Sequence, residues 1–197
     1  KKIGMELGSN SPVIVAEDAD LSLAVESSVS GAFWAVGQNC IGVQRIYIHE
    51  KIYDRFEKMF VERTGKVKVG RQLDEDTDMG PMITEGEAAR VERWVKEAVQ
   101  MGARLLTGGT RQGTVFQPTV LVDVPEQATI AREEVFGPAV CLFKVKSLDE
   151  AVARANSVRF GLHAGVFTRD INTAFKLIKG LEVGGVMVND SSDYRID

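Results

Sequence analysis

Residues 139–145 read Ala-Val-Cys-Leu-Phe-Lys-Val, a near-continuous apolar run seven residues long. A strand with one wet face alternates apolar and polar residues, whereas a strand buried on both faces does not. Such a strand belongs to a sheet covered by helices on two sides, so this segment directs the whole reading toward an α/β layer. Further extended segments are expected at 12–15, 45–49, 103–107, 116–122, 165–167 and 184–188. Helical periodicity fills the gaps between them. One helix should start behind Asp18 or Asp20 and stop near Gly37, and a second should end at Gly65. The capping boxes Thr84-Glu85-Gly86-Glu87 and Ser147-Leu148-Asp149-Glu150 open two more, to about 100 and 156, and Asp170 caps a last one over 171–179. A polar, Asp-rich loop is expected over 70–81. The order implies an α/β fold, a layered domain with a largely parallel open sheet flanked by helices, spanning 1–197 as one domain.

Composition narrows the function classes. With 24 Lys+Arg against 28 Asp+Glu the chain is mildly acidic, which argues against binding nucleic acid, because phosphate neutralisation needs a basic surface. No apolar run is long enough for a membrane span and no apolar segment opens the chain as a leader would, so a cytoplasmic protein is expected. Two Cys and two His supply neither a disulfide framework nor a zinc constellation, and no metal is expected.

Cys40 lies in Gly37-Gln38-Asn39-Cys40-Ile41-Gly42, between a helix end and a strand. A thiol on a glycine-flanked loop beside backbone amides can be held as the nucleophilic thiolate; a small hydrophobe in the core is the other reading. Cys141, inside the apolar strand, reads as core. His49, at a strand end, and His163, in a turn, read as surface or turn residues; the other reading, a base for the cysteine, needs only proximity in space. A cysteine without histidine requires a carboxylate base. Glu6, flanked by Gly4, Met5, Leu7 and Gly8, is a candidate, with partial burial and a raised pKa expected of it; an exposed strand-end charge is the other reading. Glu133 and Glu134 precede Val135-Phe136-Gly137-Pro138, where an acid and an aromatic ring suit the hydroxyls and flat ring of a nucleotide; a solvated charge pair fits equally.

In this order, Met5-Glu6-Leu7-Gly8, Gly37-Gln38-Asn39-Cys40 and Glu134-Val135-Phe136-Gly137-Pro138 resemble the motifs of the aldehyde dehydrogenase superfamily. Gln117-Pro118-Thr119-Val120-Leu121, Phe160-Gly161-Leu162, Gly165-Val166-Phe167-Thr168 and Gly185-Val186-Met187-Val188-Asn189 extend the likeness over essentially all 197 residues. Ser9, where the glutamate motif usually has a second glycine, and the segment after Asn189 look like the branch of lactaldehyde and non-phosphorylating glyceraldehyde-3-phosphate dehydrogenases. Trp34 departs from the small or polar residues common before the cysteine motif.

The resemblance implies oxidation of a small-molecule aldehyde to an acid with NAD or NADP, Cys40 forming a thiohemiacetal and then a thioester, and Glu6 activating the hydrolytic water. The Cys40 backbone N–H would be one oxyanion donor, and the family's second, an asparagine, would lie upstream. Glu134, Phe136 and Gly8 fall on the cofactor side, and Trp34, Asn39, Ile41, Tyr194 and Arg195 around the substrate. Family members are more than twice this length, and no G-x-G-x-x-G unit follows a strand here. The chain is therefore expected to be the catalytic domain of a longer homo-oligomeric enzyme, a dimer or tetramer, with the main cofactor domain and the oligomerisation segment absent. Alone, it is expected to have little or no dehydrogenase turnover, serving as a structural or binding module or as a weak cysteine-dependent esterase.

Overall fold

The computed structural model describes residue 2 and residues 4–193. Strands and helices alternate as β1 (Ser11–Val15), α1 (Leu21–Phe33), β2 (Val43–His49), α2 (Glu50–Thr64), α3 (Glu85–Gln100), β3 (Arg104–Thr107), β4 (Arg111–Gln112), β5 (Val115–Phe116), β6 (Thr119–Val122), α4 (Thr129–Arg132), β7 (Ala139–Val145), α5 (Leu148–Ala155), β8 (His163–Phe167), α6 (Ile171–Gly180) and β9 (Gly185–Val188). Seven strands pair in the order β3-β6-β7-β2-β1-β8-β9, and every neighbouring pair except β3 with β6 is parallel. β1, β6 and β8 are buried at every position and β7 at all but Lys144. Consecutive burial requires cover on both faces. The helices supply it in two groups, α1 packed with α2 and α5 with α6.

Local chemistry explains most boundaries. The Asp20 carboxylate accepts from the N–H groups of Ser22 and Leu23 and starts α1, while Asp18 accepts from Thr168 Oγ1 and Arg169 N–H and fastens the end of β8 instead. Thr84 Oγ1 accepts from Glu87 N–H and Ser147 Oγ from Glu150 N–H, the hydroxyl half of each capping box, while the Glu87 carboxylate accepts from Arg90 and that of Glu150 from Lys146 N–H. Gly65 caps α2 with a right-handed φ of −65°, so no glycine-specific conformation is needed there. The Asp-rich loop is pinned by backbone bonds between Gly70 and Met79 and between Met79 and Lys68, with the Met79 side chain buried.

Three expectations are corrected. Residues 116–122 are not one strand. Pro118, with no N–H to donate, separates a two-strand hairpin, β4 with β5, from β6 in the main sheet. The four-residue α4 was not anticipated, being too short to show a hydrophobic period. His163 is neither a surface nor a turn residue. It is buried at the start of β8 and its Nδ1 lies 3.2 Å from the Ser192 carbonyl. Ser192 reaches it because the chain turns back after β9 and runs antiparallel along β8, where a Cβ on Gly165 would meet the Asp190 carbonyl at 2.7 Å.

The topology also explains why three motifs far apart in sequence meet. Glu6, Cys40 and Glu134 each stand a few residues before β1, β2 and β7, which are adjacent and parallel and therefore begin along one edge of the sheet. Of the capping contacts, the one on α3 is the easiest to isolate. Thr84→Ala should lower stability by about 1 kcal/mol in urea unfolding, with the cleft described below unchanged.

Candidate active site

α1 does not run smoothly into the cysteine loop. Trp34–Gly37 forms a tight turn in which Ala35, Val36 and Gly37 all take left-handed backbone, with φ of 50°, 62° and 66°. For Val36, branched at Cβ, this conformation is strained. Gly37 is required twice over, since a Cβ there would stand 2.3 Å from the Gly137 carbonyl oxygen. The cysteine loop and the Phe136–Gly137 turn are thus packed backbone to backbone. Beyond this turn the Asn39 Oδ1 accepts from Ile41 N–H at 3.1 Å, and the Asn39 carbonyl accepts from Gly42 N–H at 3.1 Å, closing the loop around Cys40. The Asn39 Nδ2 is buried with no partner among the described residues.

Phe136 also takes a left-handed φ, 45°, and its ring is 40 % exposed. The Glu134 carboxylate accepts from Ser9 N–H at 2.8 Å, and a Cβ on Gly8 would lie 2.7 Å from it. Gly8 is therefore the residue that lets the glutamate-motif backbone lie against this carboxylate.

These segments enclose one open cleft of about 520 Å³. Glu6, Gly8, Trp34, Asn39, Cys40, Glu134 and Phe136, all singled out in the sequence, line it. Leu7, Ala35 and Gln38 join them, and Gln38 was overlooked although it stands inside the cysteine motif. Its Oε1 accepts from Ile83 N–H at 2.9 Å, tying the cleft to the segment before α3. Ile41 is half-buried and does not line the cleft. Tyr194 and Arg195 lie outside the described residues. Glu6 is not partly buried as expected. Residues 4–8 are all exposed, because no element among the described residues covers them.

The two cysteines differ as their settings require. Cys40 is partly exposed on the cleft, whereas Cys141 is enclosed in β7 and burial pushes its thiol up to about 12, the nearby Arg45 opposing that rise. The cleft itself combines a partly exposed thiol, two carboxylates, a flat aromatic ring and backbone amides.

The sequence profile of the aldehyde dehydrogenase family matches residues 1–197. This chain belongs to the aldehyde dehydrogenase family. Aspartate-semialdehyde dehydrogenase 1 of Pseudomonas canavaninivorans is 50 % identical over all of this chain, which covers 42 % of that protein. Among solved structures, aldehyde dehydrogenase 21 of Physcomitrella patens, in complex with its reaction product succinate, is 46 % identical with a TM-score of 0.95, over 100 % of this chain and 41 % of that one. The glyceraldehyde-3-phosphate dehydrogenase GapN of Methanocaldococcus jannaschii, complexed with NADP, is 42 % identical with a TM-score of 0.95, over 100 % and 42 %. It stands in the branch to which the glutamate motif pointed. The chain thus spans about two fifths of the length of these aldehyde dehydrogenases.

Alkylation reads the contrast between the thiols directly. A raised pKa means that Cys141 stays protonated well above its ordinary 9.0, so at pH 8 iodoacetamide should modify Cys40 and spare Cys141. In urea both should react. Mass spectrometry of the alkylated peptides separates the outcomes, and equal inertness of the two thiols in the folded chain would contradict an accessible Cys40.

Proposed function

We propose that this chain is the catalytic domain of a longer NAD(P)-dependent aldehyde dehydrogenase, in which Cys40 is the nucleophile and Glu6 the base that activates the hydrolytic water. The observation that carries this reading is the convergence of Cys40, Glu6, Glu134 and Phe136 on one cleft. Cys40 is the only accessible thiol among the described residues. Its thiolate attacks the aldehyde carbon, and the oxygen that becomes negative is stabilised by the Cys40 backbone N–H. NAD+ or NADP+, held at its nicotinamide end by Glu134, Phe136 and Gly8, would supply the hydride acceptor that the conversion of a Cys40 thiohemiacetal into a thioester requires. Glu6 then takes a proton from water as the water oxygen bonds to the thioester carbon. The C–S bond breaks, the acid leaves and the Cys40 thiolate is restored.

The residues present suit the nicotinamide end of such a cofactor. Glu134 offers acceptors for ribose hydroxyls, the exposed Phe136 ring offers a flat face, and Gly8 leaves the space between Glu134 and the glutamate-motif backbone that a side chain would fill. The described residues lining the cleft supply nothing for the adenine half. The exposed apolar side chains around it, Met5, Leu7, Trp34 and Phe136, are a rim that the rest of a longer protein would cover. Relatives named for aspartate semialdehyde and glyceraldehyde 3-phosphate, and one holding succinate, support a small aldehyde carrying an anionic group as substrate.

In the full-length enzyme, Cys40→Ala should abolish NAD(P)H formation. Glu6→Gln should leave a burst of about one NAD(P)H per site and slow the following steady state by about 10²-fold or more, because only thioester hydrolysis needs the base. A normal steady state in Glu6→Gln would remove Glu6 from the mechanism. Since both residues line the cleft within this chain, the chain alone should hydrolyse an activated ester slowly, and Cys40→Ala should stop it.

A further inference from the structure

The backbone that presents Glu134 and Phe136 is restrained from several sides, and the restraints meet at one side chain that no motif singles out. Asn10 is 1 % exposed. Its Nδ2 donates to the carbonyls of Ala131 (3.1 Å) and Glu133 (3.2 Å), so one amide spans the segment leading into Glu134. Its own carbonyl accepts from Arg45 Nε and Nη2, at 3.2 and 2.9 Å. One residue, immediately before β1, therefore links that strand to the Arg45 side chain of β2 and to the segment before β7.

Its surroundings repeat the same link. Ser9 N–H donates to the Glu134 carboxylate, and the Gln44 amide, oriented by its partners, donates to the Ser9 carbonyl and accepts from Val135 N–H. From α3, Arg90 Nη2 donates to the Val135 carbonyl at 2.7 Å. The amide of asparagine fits this place chemically. Alanine would leave two carbonyls without donors, and aspartate would set a carboxylate against both. The Asn10 Oδ1 is buried with no partner among the described residues, so the amide is held in place through its two donated bonds.

We propose that Asn10 is a positioning residue for the cofactor side of the site: it sets the Glu134–Phe136 turn against the Glu6 segment, so that affinity for NAD(P)+ depends on it and the reactivity of Cys40 does not. This rests on the dehydrogenase reading above. In the full-length enzyme, Asn10→Ala raises the Kd for NAD(P)+, measured calorimetrically without aldehyde, about tenfold, equivalent to ~1.4 kcal/mol. KM for NAD(P)+ rises in parallel, whereas kcat and the aldehyde KM change less than about threefold. Asn10→Asp raises the Kd further, and Asn10→Gln, which keeps the donors on a longer stem, raises it less. The rate of Cys40 alkylation without cofactor stays native in all three.

A native Kd in Asn10→Ala overturns the proposal, as does a loss shared equally by Kd, kcat and Cys40 reactivity, which marks general disorder. If Asn10→Ala does not accumulate as folded enzyme, Asn10→Gln carries the test, and its unchanged Kd has the same force. The two levels fail separately. A native NAD(P)+ Kd in Asn10→Ala beside an inactive Cys40→Ala sinks only the positioning role, while an active Cys40→Ala sinks the chemistry on which it rests.

Discussion

Taking a guanidinium out of water is costly unless its five N–H donors are met, and at Arg45, among the largest fully buried side chains, they are met by neutral oxygens alone. The carbonyl of Asn10 accepts two bonds, and the Tyr47 hydroxyl and the carbonyls of Arg154 and Ala155 accept the rest. Burial lowers the Arg45 pKa, with the Tyr47 phenol acting in the opposite sense. A buried cation of this kind fixes the groups around it, because each oxygen that moved away would leave a donor bare. It joins the start of β1, the interior of β2 and the end of α5, and the motif residues project from the ends it holds together. The openness of the cleft is compatible with this. The rim is exposed, but the backbone beneath it is hydrogen-bonded deep in the sheet.

Much of this was legible beforehand, for identifiable reasons. The apolar run of β7 revealed a two-sided sheet, and Thr84, Ser147, Asp20 and Asp170 marked helix starts, because capping is a local interaction between residues two or three apart. Motif order singled out Cys40, Glu6, Glu134 and Phe136, and one cleft is lined by all four. Pro118 was a visible break inside a segment read as one strand, and its missing N–H was the signal to heed. What stayed hidden depends on distant backbone. Nothing near Asn10 in sequence announces that its amide will meet the carbonyls of residues 131 and 133, and nothing near His163 announces that the segment beyond β9 folds back over β8 to reach it.

The error over Glu6 has a different origin. Flanking glycines and apolar residues suggested burial, and in this chain the segment is bare. The same apolar residues, Met5 and Leu7, are then the exposed ones, beside Trp34 at 57 %. Local composition therefore reported an apolar segment without telling whether this chain covers it, and the described residues leave it exposed beside the cleft.

The shared edge of β1, β2 and β7 also bears on how such a domain assembles. β1 and β2 are separated by one helix and a short loop, whereas β7 joins β2 only after about three times as much intervening chain, containing α2, α3 and the hairpin. Loop-closure entropy grows slowly with length, so the second pairing is the dearer by only about 1 kcal/mol, but it is the one that must wait. The half of the cleft holding Cys40 and Glu6 is built from neighbouring chain, and the half holding Glu134 and Phe136 arrives from a distance. Contact order is thus distributed unevenly across a single cleft, low on the side of the thiol and high on the side of the aromatic ring.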